Sequence, residues 1–407
     1  MSKIRILAIP SDKFGVGKFR IMDPFVFISD KHSDDIHVDI SYNVEDNDEV
    51  FSNYDIVVFH TFIHQTNHDN NIQRIKWLKS KGILTIMDID DLWFVDQRHP
   101  MYYAIKNNKI GEMKIEMLKE VDYVTTTTPI FAKTIKDRLK INNVAVFPNA
   151  VNEEEPQFKN ETTKSDKVRF GWLGGSSHLY DLELMENGIS SIHNSFKDKV
   201  QFVLCGFDTR GTVTEINPET KQQRNRPIQP LETVWYKYEK FFTDNYKVLS
   251  PEYKSYLETF VETPYNDENE PYRRRWTKNI TSYATNYNTF DVSLAPLVDS
   301  MFNANKSQLK VIEAGFFKKA IIASDVDPFT IDLISAVDEG KFNDKGNALL
   351  VGSKKNHKDW AKHMKRLVEN PNMIEDLGNR LYETVKDTYS LKKVCQDRVE
   401  FFKSIIK

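Results

Sequence analysis

The stretch TIMDIDDLW (Thr85–Trp93) ends an apolar run with three carboxylates, Asp88, Asp90 and Asp91. Carboxylates at the carboxyl end of a strand can accept a proton, coordinate a cation or cap the next helix. A cap accounts for one of them and leaves the others for chemistry. A metal site would want further oxygen or nitrogen ligands, which the neighbouring sequence does not supply, so no metal is expected. A second stretch, FNANKSQLKVIEAGFFKKAIIASD (Phe302–Asp325), sets Lys306, Ser307, Lys310 and Glu313 on what reads as one short helix. Lys306, Lys310 and Glu313 fall at i, i+4 and i+7 and share a face, opposite an apolar face of Leu309, Ile312 and Phe316. Two readings fit this spacing. One is a solvated face with weak ion pairs; the other is a ligand site, because the helix starts at the ligand edge of a sheet.

Three loops could cradle an anion. PSDKFGVGKFR places Gly15 and Gly17 before a helix, where backbone N–H groups can approach a phosphate. The G-x-G is lone, and Arg20 stands where a dinucleotide fingerprint has its third glycine, so a plain turn fits equally well. RFGWLGGSSHLYDL offers denser donors in Gly174, Gly175, Ser176 and Ser177, suited to an oxyanion or to capping. LCGFD, with Gly206 and Asp208, marks another strand end. YRRRWTK gathers Arg273, Arg274, Arg275 and Lys278 around Trp276, either a solvated helix face or a cationic and aromatic patch that could meet an acceptor's phosphates.

The elements that must position these groups are legible as apolar runs of strand length between helical stretches. IRILAI, YDIVVFH, ILTIMDI, DYVTTT and VAVF come first; KVRFGWL, VQFVLCGF, FDVSLAPL, KAIIASD and NALLVG follow. This alternation predicts two α/β domains built on parallel sheets. The polar stretch after Phe147 reads as a linker. The expected organisation is a first domain over 1–150, a second over 165–390 with an α-rich insertion at 208–288, and a final helix at 391–407 returning to the first. The 407 residues, 40% hydrophobic and 28% charged with net charge -3, describe an ordinary soluble chain without the excess of a dedicated nucleic-acid binder. Two cysteines point away from a disulfide framework and, with no membrane-length apolar segment, toward the cytoplasm.

Several of these segments together resemble the GT-B glycosyltransferases, especially the large retaining group that includes bacterial lipopolysaccharide-type and sucrose-phosphate enzymes. The segments are DVSLAPLVDSMFNANKSQLKVIEAGFFKKAIIASDVDPF, VRFGWLGGSSHL, VFPNAVN, ILAIPSDKFGVGKFRIMDPF and MDIDDLW. The resemblance implies two Rossmann-like domains facing a cleft. It implies a metal-independent, retaining transfer of a sugar from a nucleoside-diphosphate donor, with no further cofactor. Glu313 would bind the ribose, Lys306 the diphosphate, and Asn305, Ser307 and Lys310 would lie near the donor. Asn305 departs from the glutamate that many relatives carry there, and Asp90 or Asp91 stands where many carry a histidine, a variant associated with bacterial and phage members. The acceptor would be a glycan, a lipid-linked sugar or, in a phage, modified DNA. The alternative is a non-catalytic nucleotide-sugar-binding protein of the same fold.

Overall fold

The computed structural model describes residues 3–42, 44–64, 67–217, 219–220, 222–243, 249–338, 340–352 and 357–406. The chain forms two compact units. Met1–Glu155, Asp299–Ile312 and Thr384–Lys407 make the first, and Pro156–Val298 with Glu313–Glu383 the second.

The first unit is built on strands β1 (Ile4–Ile9), β2 (Ile36–Ile40), β3 (Ile56–His60), β4 (Leu84–Ile89), β5 (Tyr123–Thr126) and β6 (Val144–Val146). They pair in parallel in the order β2-β1-β3-β4-β5-β6. The connecting helices are α1 (Asp23–Lys31), entered through a π-turn at Lys18–Met22, α2 (Asp48–Phe51), α3 (His68–Ser80), α4 (Tyr102–Asn107), α5 (Ile110–Glu120) and α6 (Pro129–Leu139). Side chains alternate between the two faces, as the period of two requires. Ile6, Ala8, Ile56 and Val58 enter one core; Leu7, Ile9, Val57 and Phe59 enter the other. Both faces are buried, which is why these strands read as unbroken apolar runs. β2 was not legible in that way because it is an edge strand whose His37 is exposed and Asp39 half-buried.

The second unit carries β7 (Val168–Leu173), β8 (Val200–Phe207), an antiparallel ribbon of β9 (Thr212–Ile216) and β10 (Gln223–Pro227), β11 (Tyr272–Trp276), β12 (Val292–Ala295), β13 (Ala320–Asp325), a short pair β14 (Val337–Asp338) and β15 (Lys341–Phe342), and β16 (Leu349–Gly352). The main sheet is again parallel, in the order β11-β8-β7-β12-β13-β16. Its helices are α7 (Leu179–Glu183), α8 (Glu186–Phe196), α9 (Val234–Thr243) and α10 (Pro251–Thr259); after α11 (Met301–Ala304), which lies in the first unit, come α12 (Leu309–Phe316), which starts in the first unit and ends in the second, α13 (His357–Glu369), and α14 (Asn372–Val385), whose last two residues fall in the first. The last helix, α15 (Leu391–Ile405), belongs to the first unit, where Leu391, Cys395, Val399 and Phe402 join the core of Ile6, Ala8 and Phe25.

The stretch 208–288 holds the β9–β10 ribbon, α9, α10 and β11, and α9 contributes Tyr238 and Phe242 to the main core. One expectation is corrected here. YRRRW is a strand rather than a helix face. Arg274 is buried, its guanidinium paired with Glu239 at 2.8 and 2.6 Å and donating to the Leu257 carbonyl at 2.9 Å. That pairing lets a charged sequence lie inside.

Candidate active site

A parallel sheet binds ligands at the carboxyl ends of its strands, where neighbouring connections leave in opposite directions. In the first sheet that point lies between β1 and β3, and in the second between β7 and β12.

In the first unit, β1 delivers Ser11 and Asp12. The Asp12 carboxylate accepts the backbone N–H groups of Phe14, Gly15 and Gly17 at 3.0, 2.7 and 3.1 Å, and the Ser11 hydroxyl at 3.0 Å. Burial alone would raise its proton affinity, but these donors hold it below the usual carboxylate range. A Cβ on Gly17 would lie 2.1 Å from the Asp12 carbonyl oxygen, so the glycine serves the turn itself. The amides of Gly15 and Gly17, expected to face a phosphate, are thus engaged by the chain's own carboxylate.

β3 delivers His60, which is buried. Its Nδ1 lies 2.6 Å from Ser11 Oγ and its Nε2 lies 3.0 Å from Asp90 Oδ1. Sequence reasoning missed this histidine because it closes an apolar run and looked like part of the strand. A polar ring ending YDIVVFH at the carboxyl edge was the available signal.

β4 delivers the three carboxylates, which part company. Asp88 is fully buried and structural: Arg20 grips it with Nε at 2.9 Å and Nη2 at 2.7 Å, and Thr125 donates at 2.6 Å. Burial would raise its proton affinity, yet Arg20 keeps it ionised, assisted by Arg398 and His60. Asp90 is held below the ordinary range against its burial, by the hydrogen bond and charge of His60 and then by Lys114 and Arg20. Asp91 moves the other way. Its own surface is exposed, but the surrounding protein desolvates it and Asp90 repels its charge, pushing it up to about 6 against the pull of Lys306, Lys114 and His60. Lys114 is in turn lowered by burial, opposed by Asp90 and Asp91.

Lys306 reaches this group from a turn, which corrects the expectation of one continuous helix. α11 is capped by Ser300, whose Oγ accepts from Asn303 N at 3.1 Å, and closes at Asn305, whose side chain donates to the Met301 carbonyl at 2.7 Å. α12 then begins at Leu309, so the face argument for Lys306 fails. Asn305 is buried and turned back into α11. Ser307 accepts a hydrogen bond from Asn149 at 3.0 Å, and Lys306 Nζ lies 4.7 Å from the Phe302 ring centroid.

In the second unit, Glu313 is 4% exposed, which excludes a solvated face. Both of its oxygens are taken by phenols of the turn Tyr283–Thr289: Tyr283 donates to Oε1, and Tyr287 donates to Oε2 at 3.0 Å. Lys310 is half-buried on the first turn of α12. The loop after β7 leaves Gly175, Ser176 and Ser177 exposed. His178 N donates to the Tyr238 hydroxyl at 2.8 Å, and His178 Nδ1 lies 2.6 Å from Asp181, which also accepts Val298 N at 2.7 Å from the loop after β12. Gly206 has φ +99, and a Cβ there would meet the Gly174 carbonyl at 3.1 Å. It is a glycine because loop and strand approach so closely. Arg273 and Arg275 both bind Asp267, at 2.7 and 2.8 Å, and Trp276 packs edge-on against Phe207. The three arginines of this cluster are paired within the fold, while Lys278 is exposed and donates to the Thr285 hydroxyl at 2.6 Å.

No protein-family model matches the sequence, and no curated protein is significantly similar to it. Solved structures do match over the whole chain. The sucrose-phosphate synthase of Thermosynechococcus elongatus superposes with a TM-score of 0.62 at 11% identity, covering 100% of this chain and 99% of that one. HepE of Anabaena, in complex with UDP and glucose, gives 0.60 at 9% identity, covering 100% of both chains. The fold is GT-B. A trehalose-phosphate synthase of Burkholderia vietnamiensis superposes at 0.50 with 12% identity over 86% of this chain and 71% of that one. The GT-B assignment accounts for two six-stranded parallel sheets in one chain, and at these identities it concerns architecture alone.

Proposed function

We propose that the chain transfers a sugar from a nucleoside-diphosphate donor to a hydroxyl acceptor. The observation that carries this reading is the group at the carboxyl edge of the first sheet, where Lys306 stands within electrostatic reach of Asp91, beside an Asp90 fixed by His60. A sugar diphosphate asks for a fixed cation near its leaving oxygens and for carboxylates that accept sugar hydroxyls. Lys306 supplies the first without a metal. Asp90 and Asp91 supply the second, one kept anionic and the other with a raised proton affinity. Glu313, oriented by Tyr283 and Tyr287, would accept the ribose hydroxyls, as a carboxylate can from two neighbouring O–H donors. In the second unit, Ser176 and the neighbouring amides of Gly174 and Gly175 would suit an anion. The full-length likeness to HepE, a protein captured with UDP-glucose, supports the donor class.

The reading is tested by a thermal-shift panel of UDP-, GDP-, ADP- and CMP-linked sugars, since a ligand of the native state alone raises the apparent Tm. One nucleoside-diphosphate sugar should raise it and be turned over slowly to free nucleoside diphosphate without acceptor. Binding without turnover would favour the non-catalytic alternative, and no shift from any donor would remove the nucleotide-sugar reading.

A further inference from the structure

The glycine loop after β1 and the carboxylates after β4 come from strands separated by β3, yet one line of hydrogen bonds joins them. Asp12 is anchored by three backbone amides; Ser11 Oγ touches both Asp12, at 3.0 Å, and His60 Nδ1, at 2.6 Å; His60 Nε2 meets Asp90 Oδ1 at 3.0 Å. His60 is 5% exposed, so its ring is held by packing as well. An ionised Asp90 can only accept, so the nitrogen facing it, Nε2, carries a proton. One oxygen of Asp90 is therefore fixed. Among the described residues no hydrogen bond reaches the other, Oδ2, although the side chain keeps 20% of its surface exposed. A carboxylate oriented through one oxygen and open at the other is suited to a single hydroxyl in a defined direction.

We propose that Ser11 and His60 are positioning residues, and that the Ser11–His60–Asp90 chain aims Asp90 Oδ2 at a hydroxyl of the transferred sugar. The assignment rests on the nucleotide-sugar reading above. It selects the sugar over the acceptor because Asp91, next to Asp90, feels the charge of Lys306, the residue assigned to the diphosphate that carries the sugar. His60 then touches no substrate. Its removal leaves the nucleotide's own contacts intact and costs only what the sugar contributes.

The test compares, by calorimetry, nucleoside diphosphate with the matching sugar nucleotide, using UDP and UDP-glucose, GDP and GDP-mannose, and ADP and ADP-glucose. In the wild type the sugar should add affinity in one pair. In His60→Ala that increment should shrink by about tenfold, the scale of a hydrogen bond to a charged group, while nucleotide affinity stays within about twofold. His60→Gln, which keeps a donor, should recover part of the increment, and Ser11→Ala should lose less than His60→Ala. An unchanged nucleotide affinity in each variant doubles as the check that the protein is folded. If His60→Ala and Ser11→Ala keep the wild-type increment, or lose nucleotide and sugar affinity in parallel, the positioning role is overturned while the donor reading stands. If the wild type binds no member of any pair, the donor reading fails and takes this inference with it.

Discussion

Two carboxylates at the residue scale have opposite surroundings and predict different behaviour. Asp91 titrates near 6 in the folded chain against 3.8 in the unfolded one. The folded state then holds a proton that the unfolded state releases, so stability falls as pH rises from about 4 through about 6. Asp91→Asn removes that loss. Its Tm should exceed the wild type's by an amount that grows across this window and is flat above it, measured by calorimetry in a pH series; a difference independent of pH would assign Asp91 an ordinary titration. Glu313 is buried and depends on its phenols. Tyr287→Phe removes the hydroxyl that donates to Oε2 and should cost about 1–3 kcal/mol of unfolding free energy, read from denaturant midpoints. An unchanged midpoint would mean that another donor already satisfies that oxygen.

Arg20 and Asp88 hold together the elements that carry the site. Arg20, on the turn before α1, bonds Asp88 at the end of β4 and also donates to the Phe147 carbonyl past β6 at 2.5 Å. Removing one partner of a buried pair leaves the other charge uncompensated, so Asp88→Ala should destabilise the protein by about 3–5 kcal/mol, measured by urea unfolding. A cost under about 1 kcal/mol would show that water or Arg398 replaces the partner. The pair also shows what could be read from sequence. The central strands were legible because burial on both faces makes them continuously apolar. The edge strands β2 and β11 were not, because an edge tolerates His37 and Asp39 in one case, and arginines paired to Glu239 and Asp267 in the other. The candidate site was legible where a residue type announces itself, as at Asp90, Asp91 and Glu313. His60 was hidden by its apolar neighbours, and the helix drawn through Lys306 ignored Asn305, whose side chain closes α11. The partners of Gly15 and Gly17 were beyond reach, since spacing does not say whether an amide meets a ligand or the chain's own Asp12.

At the scale of the whole molecule, the first unit is completed by segments far apart in sequence. Leu391, Cys395, Val399 and Phe402 of α15 complete a core begun at Ile6, and Phe402 stacks on Phe25 with ring centroids 5.8 Å apart. A chain ended after Val385 should lose the first unit while keeping the second, seen as proteolysis confined to residues before 156 and to 299–312; equal protection of both would contradict that dependence. The central claim is that this GT-B chain turns over a nucleoside-diphosphate sugar with Lys306 on the leaving group. The most direct measurement is steady-state release of nucleoside diphosphate from the donor found by thermal shift, compared with calorimetric donor affinity, for the wild type, Lys306→Ala and Lys310→Ala. A cation that stabilises growing negative charge acts more on the transition state than on the ground state. Lys306→Ala should therefore lower kcat by much more than it weakens binding, and Lys310→Ala should be milder in both. Wild-type turnover in Lys306→Ala, or equal losses in the two variants, would contradict the account.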